Sequence, residues 1–442
     1  MEKAGKYFVL IGFMVFLCAA GVTVAQGVDL PVPSGSYPTI QSAINAAWTG
    51  DRIIVQPGVY AENITFHGID ITLMSTDPTD PTVVAGTVIQ GDGSRSVVTF
   101  DGIETGECQL SGFTIMGGNT GGAGGGILGN ETNANIDHCI ITQNVCDSAG
   151  GGIWGVQGTI SDCVISDNQT GIAGGALAKC SGLIVNCLIF NNFATNYGGA
   201  LNNCDGIFVN CTIAGNTAGG DGVINNCDGQ FENCIVWDNC PAIPQDSTAV
   251  FEHSCLEWVD GGAGNINVDP DFADAASGDY HLTGSSQCID SGTNTPTGGL
   301  PGRDIDRNLR PMDGDGNGVS AADMGVYEFV PAGVPVIEPS ELEFTFDCVM
   351  NGAAPVDQIL TLENSGTGTL NWSISDNTSW LTAAPSSGDT LGGPSAVTLS
   401  VAVAGLGVGQ YSGELTVEDA QAANHGQKVM AVLNIVPDDD YL

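Results

Sequence analysis

The sequence predicts an all-β chain: a right-handed, single-stranded parallel β-helix followed by an immunoglobulin-like β-sandwich. Three observations carry that reading. One motif recurs every 23 or 24 residues, glycine and asparagine punctuate it, and the recurrence stops near residue 255. Only 13% of the residues are charged and 64 are glycine, which disfavours helical bundles and suits tightly turned β structure.

The period comes first. The segments "DHCIITQN", "SDCVISDN", "VNCLIFNN", "VNCTIAGN" and "ENCIVWDN" align on Cys139, Cys163, Cys187, Cys211 and Cys234. Three residues before each cysteine stands Ile136, Ile160, Ile184, Phe208 or Phe231. Two after it stands Ile141, Ile165, Ile189, Ile213 or Val236, and five after it Asn144, Asn168, Asn192, Asn216 or Asn239. Cys180, Cys204 and Cys227 form a second cysteine column, and "GGGIL", "GGGIW", "GGALA", "GGALN" and "GDGVI" a glycine-rich one. A repeat of about 20–50 residues marks a solenoid, propeller or array. No stretch holds a helical apolar period for ten residues, and a propeller blade needs about 40 residues. The short β-prone runs therefore read as coils of a parallel β-helix from about Pro38 to Cys255, each about 4.8 Å above the last. Identical residues stack because each coil buries the same side chains under the next. The cysteines sit among Ile and Val, so they read as packed thiols rather than disulfides or zinc ligands.

The remaining elements follow in chain order. Residues 1–25 read as a cleaved secretory signal: Lys3 and Lys6, then the short apolar run "YFVLIGFMVFLCAA", then small residues before Gln26. Residues 26–255 form the β-helix. In "YPTIQSAINAAWTG", Thr39 caps a short helix that sets Ile40, Ala43, Ile44 and Ala47 on one face, a lid for the open first coil. Residues 256–330 lose the period and read as a C-terminal extension that caps the β-helix. Residues 331–337, "PAGVPVI", read as a linker, 338–437 as the sandwich, with alternation in Leu370–Trp372–Ile374, and 438–442 as an acidic tail.

Several of these stretches resemble known families. "TIQSAINAA", "GDRIIVQPGVYAENITF" and "TVIQGDG", over residues 36–115, resemble the opening of pectinesterase-like β-helix proteins, the pectin-lyase type of fold. The "GGAL…FVNCTIAGN" repeats resemble β-helical surface proteins of the polymorphic outer-membrane type. "NVDPDFADAASGDYHLTGSSQCIDSGT" and "GRDIDRNLRPMDGDGNGVSAADMGVYEF" resemble the choice-of-anchor type Q region that follows β-helices in exported bacterial proteins. "LENSGTGTLNWSIS", "SWLTAAPSSGD" and "GQYSGELTV" resemble the BACON-type module, which is associated with carbohydrate binding. Together these imply a secreted or cell-surface protein.

Charge narrows the function. Nine basic against 50 acidic residues give a formal −41, which argues against nucleic acid and anionic surfaces. The β-helix carries only Arg52, Arg95 and Lys179 as basic residues, so it has no lining for a polyanion. The motifs that resemblance to pectinesterases or pectin hydrolases would require ("DFIFG", "GRPW", "NTD", "GHG") are missing from the solenoid. Asp162 and Asp167 are candidates for acid–base work that nothing in the sequence separates from ordinary solvated carboxylates. The reading is a monomeric, non-catalytic protein that binds or adheres to a polysaccharide or another cell-envelope component. The alternative is a polysaccharide lyase or hydrolase with an appended binding module. Two sites are expected. Trp372 and Trp380 would stack on sugar rings. Asp313, Asp315, Asn317 and Asp323, in "DGDGNGVSAAD", would bind Ca²⁺, since oxygen ligands at alternate positions before a glycine turn form the first half of a calcium loop.

Overall fold

The computed structural model describes residues 27–437 apart from 243 and 245. The signal assigned to residues 1–25 and the tail 438–442 lie outside the described residues.

The first unit is a parallel β-solenoid. Its strands stack into a ten-stranded sheet 1, a nine-stranded sheet 2, a seven-stranded sheet 3 and a narrow five-stranded strip. Pairing is in register from coil to coil, so Ile136 lies over Ile160, Ile184 and Phe208 in turn. On sheet 2, Ile141, Ile165, Ile189, Ile213 and Val236 form the facing column. Both columns and the cysteines Cys139 to Cys234 are fully buried in one continuous core. The aromatic end of the sheet 1 column is a stack: Phe208, Phe231 and Phe251 lie 4.3 and 4.7 Å apart, and Trp258 closes on Phe251 edge-on. The first strand, Asp29–Val32, pairs with Arg52–Val55, so the solenoid starts before Pro38. Helix α1, Ile40–Ile44, is capped by Thr39 and buries Ile40, Ala43 and Ile44 against the first coils. The Glu62 carboxylate accepts from the backbone N–H groups of Ile40 and Gln41, satisfying donors that a helix start leaves free. Helix α2, Pro81–Gly86, which has no apolar periodicity, stands on the outside of sheet 2.

Residues 256–330 do two jobs. Residues 257–266 cover the solenoid's last coil, where Ile266 bridges Cys255 and the backbone N–H of His253 donates to Ala263. The rest turns back and runs along the outer face of sheet 2 as a strap. Tyr280 and Val326 of the strap pack on Leu188 and Ala214 of the solenoid.

The second unit is a two-sheet sandwich of four and five strands, in which Glu343–Val349 runs parallel to Gln427–Val436. Residues 331–337, expected as a linker, are built into the packing instead. Val336 lies in a cluster with Leu309, Met312 and Ala423, and its N–H donates to Asn364. Arg303 on the strap pairs with Glu338 on the sandwich at 2.6 Å.

Candidate functional site

The site grows from one column of turn residues. Between sheets 1 and 2, each coil from His138 onward turns through a residue with left-handed backbone. In order these are His138, Asp162, Asn186, Asn210, Asn233 and His253, with φ between 47° and 55°. Asparagine and aspartate tolerate this conformation better than most residues, and the side chain at each position points away from the core.

The strap binds the asparagines of this column one by one. Asn186 donates to the Arg303 carbonyl at 2.6 Å and accepts from Arg310 at 3.2 Å. Asn210 donates to the carbonyls of Asp323 and Gly325. Asn233 exchanges two bonds with the backbone of Thr293, at 2.9 and 2.7 Å. Behind them lies a buried network in which Glu328 accepts from Arg310 at 2.7 Å and from the backbone of Met312, while Asp304 accepts from the backbone of Glu328 and Asn308. Burial pushes Glu328 up to about 7 against the pull of Arg310, and it likewise raises Asp323 and Asp304.

Where the column switches from asparagine to Asp162 and His138, the strap ends. A cleft of about 140 Å³ opens there between the strap and the α2 segment. One wall is apolar, from Pro78, Pro81, Val84 and Ile305. The floor is His138 and Asp162, and the rim is Asp306, Arg307 and Tyr327. Asp137 accepts from Gln109, Ser111 and His138 Nδ1, at 2.9, 2.7 and 2.9 Å. That bond places the ring proton on Nδ1 and leaves Nε2, a buried atom with no hydrogen-bond partner among the described residues. Burial raises the Asp162 carboxyl, opposed by the neighbouring His138 and by the amide of Asn186. Arg307 is held at φ 74° and makes no ion pair among the described residues. Strain in a non-glycine residue of this kind concentrates at working sites. The rim is braced by His281, whose two ring nitrogens face Asp279 and Asp306 at 2.5 and 2.6 Å, with the ring stacked on Tyr327 at 3.8 Å. Burial acts to lower the His281 pKa, but the two carboxylates outweigh it and the net shift is upward. Two acceptors on one imidazole require both nitrogens to donate. The cleft therefore offers carboxylate and imidazole acceptors, a cation and an apolar wall within one small space.

The residues expected from sequence fall elsewhere. Trp372 and Trp380 are 2% and 8% exposed and belong to the sandwich core, so they are not sugar platforms. Trp372 shares a strand face with buried Leu370, and its ring lies on Gly388, as Trp380 lies beside Gly413. Among the described residues the exposed aromatics of the solenoid are Trp48, near its first coil, and Phe193 and Tyr197, which share a later coil. Asp162 lies in the cleft, whereas Asp167 is bonded by Asn191. The four calcium candidates do not converge as a set. Asp323 is buried, and its oxygens accept from the backbone of Asp290 and Phe329. Asn317 spends its oxygen on Val319. Asp290 takes their place: the carboxylate oxygens of Asp290, Asp313 and Asp315 lie within 4.8 Å of one another. Burial raises Asp290 to about 6. Three hard oxygen donors fit Ca²⁺ chemistry in type and fall short of its usual six to eight ligands.

Comparison with known proteins bears on parts of the chain. A family model described as "Viral BACON domain" matches residues 336–429, the sandwich. No curated protein matches the chain. Among solved structures, pectate lyase Pel9A is 14% identical with a TM-score of 0.37, covering 70% of this chain and 98% of that one. The pectin methylesterase of Aspergillus niger is 15% identical with a TM-score of 0.29, covering 55% and 83%. A Bacteroides ovatus GH5 xyloglucanase, in complex with a XXXG heptasaccharide, is 17% identical with a TM-score of 0.19, and this chain spans 21% of its length. At these identities and scores the likenesses say nothing about activity. No helix among the described residues is long and apolar enough to cross a membrane.

Proposed function

We propose that this is an exported, surface-acting protein that binds a neutral carbohydrate without cleaving it, and that the cleft beside the turn column holds the sugar. The observation that carries the reading is the cleft's composition. Its acceptors, Asp162, Asp306 and His138 Nε2, suit sugar hydroxyls, and its wall of Pro78, Pro81 and Val84 suits the C–H face of a ring. The overall charge of −41 repels polyanionic glycans. Resemblance of the sandwich to a BACON-type module supports the same class of ligand.

The column supplies conservative variants, since asparagine occupies it three coils running. His138→Asn and Asp162→Asn keep a residue that tolerates the backbone. Each is expected to weaken binding on a neutral-glycan array by about 10- to 100-fold, the value of one hydrogen bond to a charged or strongly polar group. Unchanged melting temperatures would show the fold intact. Full affinity in both variants would exclude the cleft. A second reading, bond cleavage, is favoured by the Asp137–His138 pair, which engages Nδ1 and leaves Nε2 without a partner among the described residues. Release of reducing sugar or unsaturated product by the wild type, lost in His138→Asn, would put that reading first.

Calcium belongs to this proposal as a structural ion. Asp290, Asp313 and Asp315 would hold it, at the place where the backbone N–H of Asp313 donates to Ala423 of the sandwich.

A further inference from the structure

Fourteen cysteines lie among the described residues, all of them free thiols. What separates them is orientation. Cys139 to Cys234 sit at equivalent positions on adjacent parallel coils, so their Cβ atoms are separated by about the strand spacing, ~4.8 Å. That exceeds the roughly 3.5–4.5 Å that a disulfide spans. Their thiols have partners of their own: Cys163 donates to Ser161 O at 3.1 Å and Cys187 to Val185 O at 3.3 Å.

Cys255 is placed differently. It pairs in register with Ile235 while its neighbour Leu256 pairs with Val236. Val236 and Leu256 point into the solenoid core, and Ile235 and Cys255 point out of it, under the strap. The strap carries Cys288 onto this spot. Both side chains are fully buried in one small cluster with Ile235, Leu282 and Met324. Cys255 and Cys288 are thus packed in one buried cluster between the last coil and the strap. They come from opposed layers rather than from stacked coils, so nothing holds their Cβ atoms at the strand spacing.

We propose that Cys255 and Cys288 are a disulfide-forming pair, which covalently staples the strap to the last coil when the protein folds in an oxidising compartment. The Cys255 Sγ–Cys288 Sγ bond forms as the two thiols give up two protons and two electrons. An external protein disulfide accepts them and leaves as a dithiol. The bond closes a loop through residues 256–287, the stretch that covers the solenoid end and begins the strap. Cys255 gives up its donation to Val268 O, at 3.2 Å, in exchange.

The test uses the full chain produced through an oxidising secretory route, denatured without reductant, alkylated and mapped by mass spectrometry. The expected result is one linked peptide pair, Cys255 with Cys288, and alkylation of every column cysteine. Reductant should lower the melting temperature of the wild type by several degrees and leave Cys288→Ala unmoved. Alkylated Cys255 and Cys288 in that preparation would overturn the proposal. So would a link within a column in place of this one, or equal sensitivity to reductant in Cys288→Ala. If the variant does not fold, the wild-type map decides alone.

Discussion

The solenoid carries two ladders of polar residues at the same period, and they are built on opposite rules. Asn144, Asn168, Asn192, Asn216 and Asn239 form the inner ladder. From Asn168 on, each side-chain oxygen accepts from the backbone N–H and the amide of the asparagine one coil earlier, at 2.9–3.1 Å, as Asn192 does from Asn168, while Asn144 accepts from the backbone of Gly118. Each amide also donates to a carbonyl one coil back, as Asn168 does to Ile141 at 2.8 Å. The outer ladder runs His138, Asp162, Asn186, Asn210, Asn233 and His253. The inner one is uniform because each member's partner is another member. The outer one has two bonds within it, Asn186 to Asp162 and Asn233 to Asn210, but it varies because its other partners are the strap, the cleft and the end loop, each different. In a repeat protein, uniformity marks contacts of the repeat with itself, and departures from it mark contacts with something else.

Removing a member from each ladder tests this most directly. Asn192→Ala strands the N–H of Asn168, its amide and the carbonyls of Ile165 and Phe190 in the interior. A cost of about 3–5 kcal/mol is expected from denaturant unfolding, at about 1–3 kcal/mol for each unsatisfied buried group with partial relaxation. Asn210→Gly keeps the left-handed turn and loses the two bonds to the strap and the one it accepts from Asn233. It should cost about 1–2 kcal/mol and raise hydrogen exchange in residues 320–328 while the solenoid stays protected. Equal losses from the two variants would erase the distinction.

The partners of the outer ladder titrate, and those of the inner one do not. Arg310 is the cation among three buried carboxylates, Glu328, Asp323 and Asp304. The folded-state pKa of Glu328, about 7, lies above its ordinary 4.5. Stability from its protonated form is therefore complete below about 4.5 and is lost as pH rises through about 7. The expected loss is up to about 3 kcal/mol across that window, with a flatter profile in Glu328→Gln. A wild-type profile that is flat from pH 4.5 to 7.5 would contradict it.

Calcium should have the smallest effect. Binding to the folded chain at Asp290, Asp313 and Asp315 would raise the melting temperature by one or two degrees at millimolar Ca²⁺, about what a weak site gives by mass action. Asp315→Asn should abolish the rise. An identical rise in that variant would place the ion elsewhere.

The same rule explains what was legible in the sequence. The coil period, the Ile, Phe and Cys columns and the inner asparagines could be read because self-stacking repeats itself in the chain. The outer column was present too, as the residue before each cysteine, but H, D, N, N, N reads as ordinary turn chemistry until the strap is seen on it. The strap's contacts are each made once, so no period announces them. Asp290 lies 23 residues before Asp313, and only the fold brings them together. Trp372 was misassigned although its alternation with Leu370 already placed it on the core face. Glycines opposite the rings, Gly388 and Gly413, made room that composition could not reveal.

The strap also acts as a gauge. In a stack of like coils one more copy can be added where coils meet only their neighbours, and within most of this solenoid an extra coil would simply extend the stack. Between Asn186 and Asn233 it would not. The strap meets three successive turns at fixed intervals along its own backbone, at residues 303, 323–325 and 293. A coil gained or lost there would leave one turn without its partner and shift every later one by a full step. Growth is open only toward the N-terminal coils, on the far side of the cleft, where the strap does not reach.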